Sequence, residues 1–68
     1  MKLFELIYFM RDTTLIKILI NNELSYAGDV YTYRAMHHER YALHLNVSSI
    51  SAKLENYDPV IIINLEVK

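Results

Sequence analysis

Three histidines, His37, His38 and His44, titrate near neutral pH, and their spacing decides which chemistry is open to them. Adjacent helical residues point about 100° apart, so His37 and His38 cannot share a metal ion on a helix. Histidines at i and i+4 would suit zinc, but the residue four after His37 is Tyr41, whose phenol is a poor ligand. The chain also has no cysteine. We therefore predict no metal site and no cofactor, and interpret the histidines as solvated or interface residues.

Nucleophilic catalysis would use a serine beside a histidine, and Ser48, Ser49 and Ser51 follow His44 closely in the sequence. A catalytic triad is assembled in space, so this spacing carries no weight, and the chain has no Gly-x-Ser-x-Gly motif. The single glycine excludes a glycine-rich phosphate loop. A chain of 68 residues also encloses a water-excluded cleft with difficulty. We predict that the protein is not an enzyme.

The aromatic and basic segment from Tyr31 to Tyr41 is the best candidate for function. Tyrosine and arginine are enriched at binding hot spots because they combine a large apolar area with directional donors. The candidate binding residues are Tyr31, Tyr33, Arg34, His37, His38, Arg40 and Tyr41. The alternative is that the segment covers the sheet, which we favour for Tyr33 and Met36. We favour binding for Tyr31, Arg34, His38 and Arg40.

The charge balance favours a protein as the partner of this segment. Aromatic residues interleaved with arginine also suit single-stranded nucleic acid, whose bases stack on the rings. However, seven Lys and Arg against eight Asp and Glu give a net charge of −1, which provides no positive field for a phosphate backbone. Nucleic acid is therefore an unfavoured partner.

Two predicted strands are apolar on both faces. In the run from Asp58 to Val67, Val60 and Ile62 point to one side, and Ile61, Ile63, Leu65 and Val67 point to the other. The run from Thr13 to Ile20 has the same character. A chain of this length buries only about 60% of its unfolded surface, so it has little material to cover two faces. We expect another molecule to cover one of them, and the candidate homodimer interface consists of Leu15, Leu19, Val60 and Ile62.

Local signals predict the order of the elements. Leu3, Leu6, Ile7 and Met10 fall at helical spacing, which predicts a helix over residues 2–10. Asparagine tolerates left-handed backbone, so Asn21-Asn22-Glu23 predicts the turn of a hairpin between strands at 14–20 and 24–28.

The second half of the chain begins with a predicted helix over residues 30–41, capped by Asp29. Leu43, Leu45 and Val47 alternate with polar residues, as in a strand. Residues 51–58 then read as a polar turn before the final strand, with Pro59 closing it. The expected fold is α+β, a small mainly antiparallel four-stranded sheet with two short helices, in one domain over residues 1–68.

The sequence predicts no targeting signal. No apolar stretch approaches the roughly 20 residues of a membrane-spanning helix, and the N-terminal residues lack the features of a signal peptide. The absence of cysteine fits a reducing compartment. We expect a protein of the host-cell cytosol with no membrane partner.

Several short motifs resemble small uncharacterised proteins encoded by phages and prophages of Gram-positive bacteria. The motifs are Phe4-Glu5-Leu6-Ile7, Asp12-Thr13, Tyr26-Ala27-Gly28-Asp29-Val30 and Val47-Ser48-Ser49-Ile50, followed by the closing aliphatic strand. In those proteins an acidic segment usually follows the Gly-Asp pair, whereas here the segment is aromatic and basic.

The resemblance implies a function of binding rather than of chemistry. Many small phage proteins bind a host or competitor protein, among them the inhibitors of CRISPR effectors known as anti-CRISPRs. The expected function is a non-enzymatic inhibitor of a host or bacterial-defence protein that acts by steric or competitive binding. The alternatives are a self-associating structural or regulatory protein and a binder of single-stranded nucleic acid.

Overall fold

A computed structural model describes residues 1–36 and 40–67. In these residues, the helices are α1 (Leu3–Phe9), α2 (Val30–Ala35) and α3 (Arg40–Leu43). The strands are β1 (Leu15–Ile20), β2 (Glu23–Asp29), β3 (Asn46–Glu55) and β4 (Asp58–Glu66). The α+β class and the four-stranded sheet are therefore confirmed.

The strands lie in the order β2-β1-β4-β3. β1 and β4 form a parallel pair at the centre, with Ile16 opposite Ile61, and each pairs on its other side with an antiparallel hairpin partner. The sheet is thus mainly antiparallel, as predicted. Central parallel strands typically read as continuous apolar runs rather than alternating ones, and β1 and β4 do.

The core lies on one face of the sheet. The buried cluster joins residues of all the described helices to alternate residues of the two central strands, and its members are Leu3, Ile7, Ile16, Ile18, Val30, Tyr33, Ala42, Ile63 and Leu65. Because side chains alternate along a strand, Ile16, Ile18, Ile61 and Ile63 point to this helix-covered face. Tyr33 is 3% exposed and belongs to the core, so it supplies part of the cover.

Two predicted helix starts are confirmed. α1 lies within the predicted residues 2–10, and the backbone N–H of Lys2 donates to Glu5 Oε1 at 3.0 Å before its first turn. At the start of α2, Asp29 Oδ1 accepts a hydrogen bond from the Thr32 backbone N–H at 2.9 Å.

The single helix predicted over residues 30–41 is wrong. α2 ends at Ala35, because Met36 leaves the helical conformation with φ −82° and ψ 119°. α3 then begins at Arg40 and includes Leu43, which the sequence pattern had placed in a strand. The Leu45 carbonyl instead accepts a hydrogen bond from the Leu3 N–H at 3.0 Å, so this connection joins α1 before β3 begins.

The polar turn predicted over residues 51–58 is also wrong. β3 continues to Glu55, because the period-two alternation of Ile50, Ala52 and Leu54 is that of a strand. The turn between the strands is formed by Asn56 and Tyr57, with φ 51° and 69°. Pro59 lies near the start of β4, where a proline is tolerated.

Candidate functional site

The second face of the sheet carries no helix among the described residues, and we call it the open face. Alternation along each strand assigns its members. They are Leu15, Lys17 and Leu19 of β1, Leu24, Ala27 and Asp29 of β2, Asn46, Ser49, Ser51, Lys53 and Glu55 of β3, and Asp58, Val60, Ile62, Asn64 and Glu66 of β4. The face is therefore mostly apolar over its central strands, where Lys17, Asn64 and the end residues of β4 are polar, and polar along β3.

The apolar part of the open face is accessible. Leu24 is 59% exposed, and Leu15, Leu19 and Ile62 are half-buried. The residues predicted to form an oligomer interface, Leu15, Leu19, Val60 and Ile62, thus lie together on this one face. Leu15, Leu19 and Ile62 leave apolar surface that a partner would cover, whereas Val60 is buried.

An ion-paired cluster crosses the open face. Lys17 Nζ lies 2.7 Å from Glu55 Oε2, and Lys53 Nζ lies 3.3 Å from the same oxygen. Val60, between Leu15 and Lys53 in the register, is only 6% exposed. We infer that the aliphatic stems of the two lysines shield it. The hydrogen bond from Lys17, with a smaller contribution from Lys53, lowers the pKa of Glu55 below its ordinary range.

Asn64 places an amide within this face, opposite Leu19 on one side and Ser49 on the other. Its Nδ2 donates to Ser49 Oγ at 3.2 Å. Its Oδ1 is buried and accepts no hydrogen bond from the part of the chain that the structure describes. Buried acceptors are usually paired, so this amide marks a polar point in an otherwise apolar surface.

The residues of the predicted 31–41 binding segment differ in how far the structure exposes them to solvent. Tyr31 and Tyr41 are 64% and 63% exposed, whereas Tyr33 packs in the core. His37 and His38 lie outside the described residues, as does the side chain of Arg40. The structure therefore presents two of the predicted tyrosines to solvent.

Arg34 ties α2 to the end of α1. Its Nη2 donates to the carbonyl oxygens of Ile7 and Met10, each at 2.7 Å, and its Nη1 pairs with Asp12. A guanidinium fork suits this task because it offers several donors in a fixed plane. The side chain predicted to bind a partner thus stabilises the C-terminal end of a helix.

Sequence reasoning missed a second exposed apolar set, on the hairpin of β3 and β4. Ile50, Leu54 and Tyr57 are 49%, 71% and 97% exposed. Ile50 pairs with Ile63, so it points to the helix-covered face but lies beyond the helices. The alternation of apolar and polar residues through Leu54 could have identified this set, but residues 51–58 were interpreted as a polar turn.

The described residues give little support to a small-molecule or metal site. A cleft of about 180 Å³ lies between α1 and α2 and is lined by Phe4, Ile7, Tyr8, Tyr33, Arg34, Met36 and Leu43. This is smaller than the roughly 300–1,000 Å³ of typical ligand pockets. A larger recess of about 390 Å³ lies beside the first hairpin turn and is lined by Ile20, Asn21, Glu23, Leu24 and Ser25, but most of these residues are exposed. Within residues 1–36 and 40–67, no group of three or more His, Asp or Glu side chains is placed to hold a metal ion. The helices of the same residues lack the length and apolar character needed to cross a membrane.

Comparisons with protein-family models, with curated proteins and with solved structures found no match. The resemblance to phage and prophage proteins therefore remains a prediction. The function is therefore inferred from the geometry of the open face.

Proposed function

We propose that the protein is a non-enzymatic binding module that covers its open face with another protein. The observation that carries this proposal is the surface of Leu15, Leu19, Leu24 and Ile62, which no helix of the described residues covers. Apolar side chains on β1, β2 and β4 beside a polar border along β3 are typical of a protein interface, and Lys17 and Asn64 add polar groups among them. The partner is a protein with an apolar surface of its own.

The free energy of burying apolar side chains favours binding through a rigid surface of this kind. Moving an apolar side chain from full exposure to full burial contributes about 1.5–3 kcal/mol, and the half-buried leucines contribute part of that. Because the residues lie on a hydrogen-bonded sheet, binding costs little backbone entropy. A small module with such a face inhibits its partner by occupying the site of another ligand. A host or bacterial-defence protein is the target class that the phage resemblance suggests.

The test uses a double variant, Leu19→Lys with Ile62→Lys, and a matched control on the helices, Phe9→Lys with Ala35→Lys. Both control positions are exposed and lie off the open face. The open-face variant is expected to fold, because its new ammonium groups reach solvent, and to lose the partner, because docking would bury unpaired charges. Tagged wild-type protein and both variants first capture partners from host lysate, and calorimetry on the purified pair then measures affinity.

The expected result is a protein captured by wild type and control and lost from the open-face variant, with 1:1 binding and inhibition of the partner's activity. Circular dichroism must show that the variant retains its fold. Wild-type affinity in the folded open-face variant would overturn the proposal.

The exposed tyrosines of the predicted 31–41 segment are a separate surface. Tyr31→Ala with Tyr41→Ala removes both rings without touching the open face. If this variant loses the partner and the open-face variant keeps it, the binding surface is the helical segment and the open face is not used.

A further inference from the structure

The outer edge of β3 is paired at its start and free along the rest. The Val47 N–H donates to the Met1 carbonyl at 2.8 Å, and Lys2 forms an antiparallel bridge with Asn46. From Ser49 to Glu55, no strand of the described residues pairs with this edge. Ala52 is the middle residue of this free edge.

The free edge has apolar residues placed symmetrically about Ala52. Ile50 and Leu54 lie two residues before and two after it, on the same side of the sheet, and are 49% and 71% exposed. The residues at the centre, Ser51 and Ala52, are small and allow another strand to approach closely.

From Ser49 to Ala52 this edge lacks the features that protect sheet edges from pairing, since the register irregularity of β3 lies before this stretch, between Val47 and Ser49, and its lysine, Lys53, lies after it. Natural edge strands usually carry charges, prolines or bulges. β2, the other edge, has Glu23 and Asp29 at its ends and an irregular register with β1 near Leu19. In β3 the residues from Ser49 to Ala52 carry no charge, and Glu55 is neutralised by its lysine partners on the open face.

We propose that β3 pairs antiparallel with β3 of a second copy about a two-fold axis at Ala52. In this register Ala52 faces Ala52 of the second copy, and Ile50 faces its Leu54, so the exposed apolar residues of each copy bury those of the other. Ser51 faces Lys53, and Ser49 faces Glu55, so no like charges lie directly opposite. An axis at Lys53 would place two ammonium groups face to face.

The arrangement joins the two sheets into one continuous sheet. Because the two-fold axis runs perpendicular to the sheet, both open faces lie on the same side. The homodimer therefore presents two copies of the proposed binding surface side by side. This interface is distinct from the open face, so it stands or fails independently of the proposed function.

A single cysteine tests the register. Opposed residues of antiparallel strands have Cα atoms about 4.5–5.5 Å apart, within the roughly 4.4–6.8 Å span of a disulfide. The chain has no native cysteine, so Ala52→Cys gives one thiol per copy. The control is Ser51→Cys, on the same strand and exposed, whose two copies would be offset diagonally and on the other side of the sheet.

Under mild oxidation, Ala52→Cys is expected to form a covalent dimer about tenfold faster than Ser51→Cys, as judged on non-reducing gels. Equal rates in the two variants would mean random collision, and would overturn the register.

Sedimentation of the cysteine-free protein tests the dimer itself. Wild type is expected to pass from monomer to dimer between micromolar and millimolar concentration, and Ile50→Lys with Leu54→Lys to raise the dissociation constant about tenfold or more. Both positions are exposed in the monomer, so its melting temperature should be unchanged at low concentration.

The open-face variant Leu19→Lys with Ile62→Lys serves as control and should still dimerise. A wild-type monomer at all concentrations would overturn the proposal. So would a dimer that survives the β3 changes and is lost in the open-face variant, because the copies would then meet face to face.

Discussion

Tyr57 occupies a backbone conformation that suits glycine or asparagine. Its φ of 69° is that of Asn22 in the other hairpin turn, and its side chain is 97% exposed. A bulky residue in left-handed backbone costs roughly 1–2 kcal/mol, and in return its ring gains almost no burial within the chain. A residue kept at such a cost indicates a role in binding rather than in stability. The ring lies at the tip of the hairpin that carries Leu54.

We predict that Tyr57→Gly stabilises the protein. Relief of the left-handed conformation outweighs the about 0.4–1 kcal/mol of added unfolded-state entropy, leaving a net gain of up to about 1.6 kcal/mol. For a domain of this size the melting temperature rises by about 4–8 °C per kcal/mol, which calorimetry measures. Asn22→Gly is the control and should gain less, because asparagine already tolerates this conformation. A fall in melting temperature on Tyr57→Gly would contradict the account.

Single residues differed in how far the sequence could predict them. The cap at Asp29 is local, so the sequence was enough. The interpretation of Tyr33 as cover for the sheet also rested on a local pattern, and the structure places the ring in the core. Arg34 was different, because its acceptors on Ile7, Met10 and Asp12 belong to a distant part of the chain and become its neighbours only in the folded protein.

At the scale of elements, the ion-paired cluster links a central strand to an edge strand. Lys17 lies on β1 and Glu55 on β3, and the pair crosses β4 between them. The Lys17 hydrogen bond lowers the folded-state pKa of Glu55 below its ordinary value of 4.5. A lowered pKa stabilises the fold fully above the unfolded-state value, and this stabilisation is lost as the pH falls through the folded-state pKa.

We predict that Lys17→Met flattens the acid limb of the stability profile. Wild type should lose more free energy of unfolding than the variant when the pH falls from above 4.5 to below the folded-state pKa of Glu55. Urea melts across this range measure the difference. Lys53→Met, which removes the smaller influence on Glu55, should flatten the limb less. Parallel profiles for wild type and Lys17→Met would show that the pair contributes nothing in solution.

The elements themselves were predictable where their signals were local. The first hairpin and the final strand follow from β-branched runs and an asparagine turn, and they match β1, β2 and β4 closely. The parallel pairing of Leu15 with Val60 joins distant segments, which no local pattern specifies. The alternation of Ile50, Ala52 and Leu54 was present, but the polar residues between them outweighed it in the interpretation.

At the scale of the whole molecule, the two faces of the sheet differ because the described helices cover only one of them. The sequence predicted strands that are apolar on both sides and a shortage of cover. In the structure the described helices all contribute to the cluster on one face, and the ion-paired cluster shields Val60 on the other. Composition and periodicity identify such a face but carry no information about the molecule that would cover it.

The most direct test measures solvent access to methyl groups on the two faces. Protein labelled at Ile, Leu and Val methyl groups is titrated with a neutral, soluble paramagnetic probe at a concentration where it is monomeric. The account predicts strong relaxation enhancement at Leu19, Leu24 and Ile62 and little at Ile16, Ile18 and Ile63. Equal protection of the two sets in the monomer would contradict it, because the chain would then be covering both faces itself.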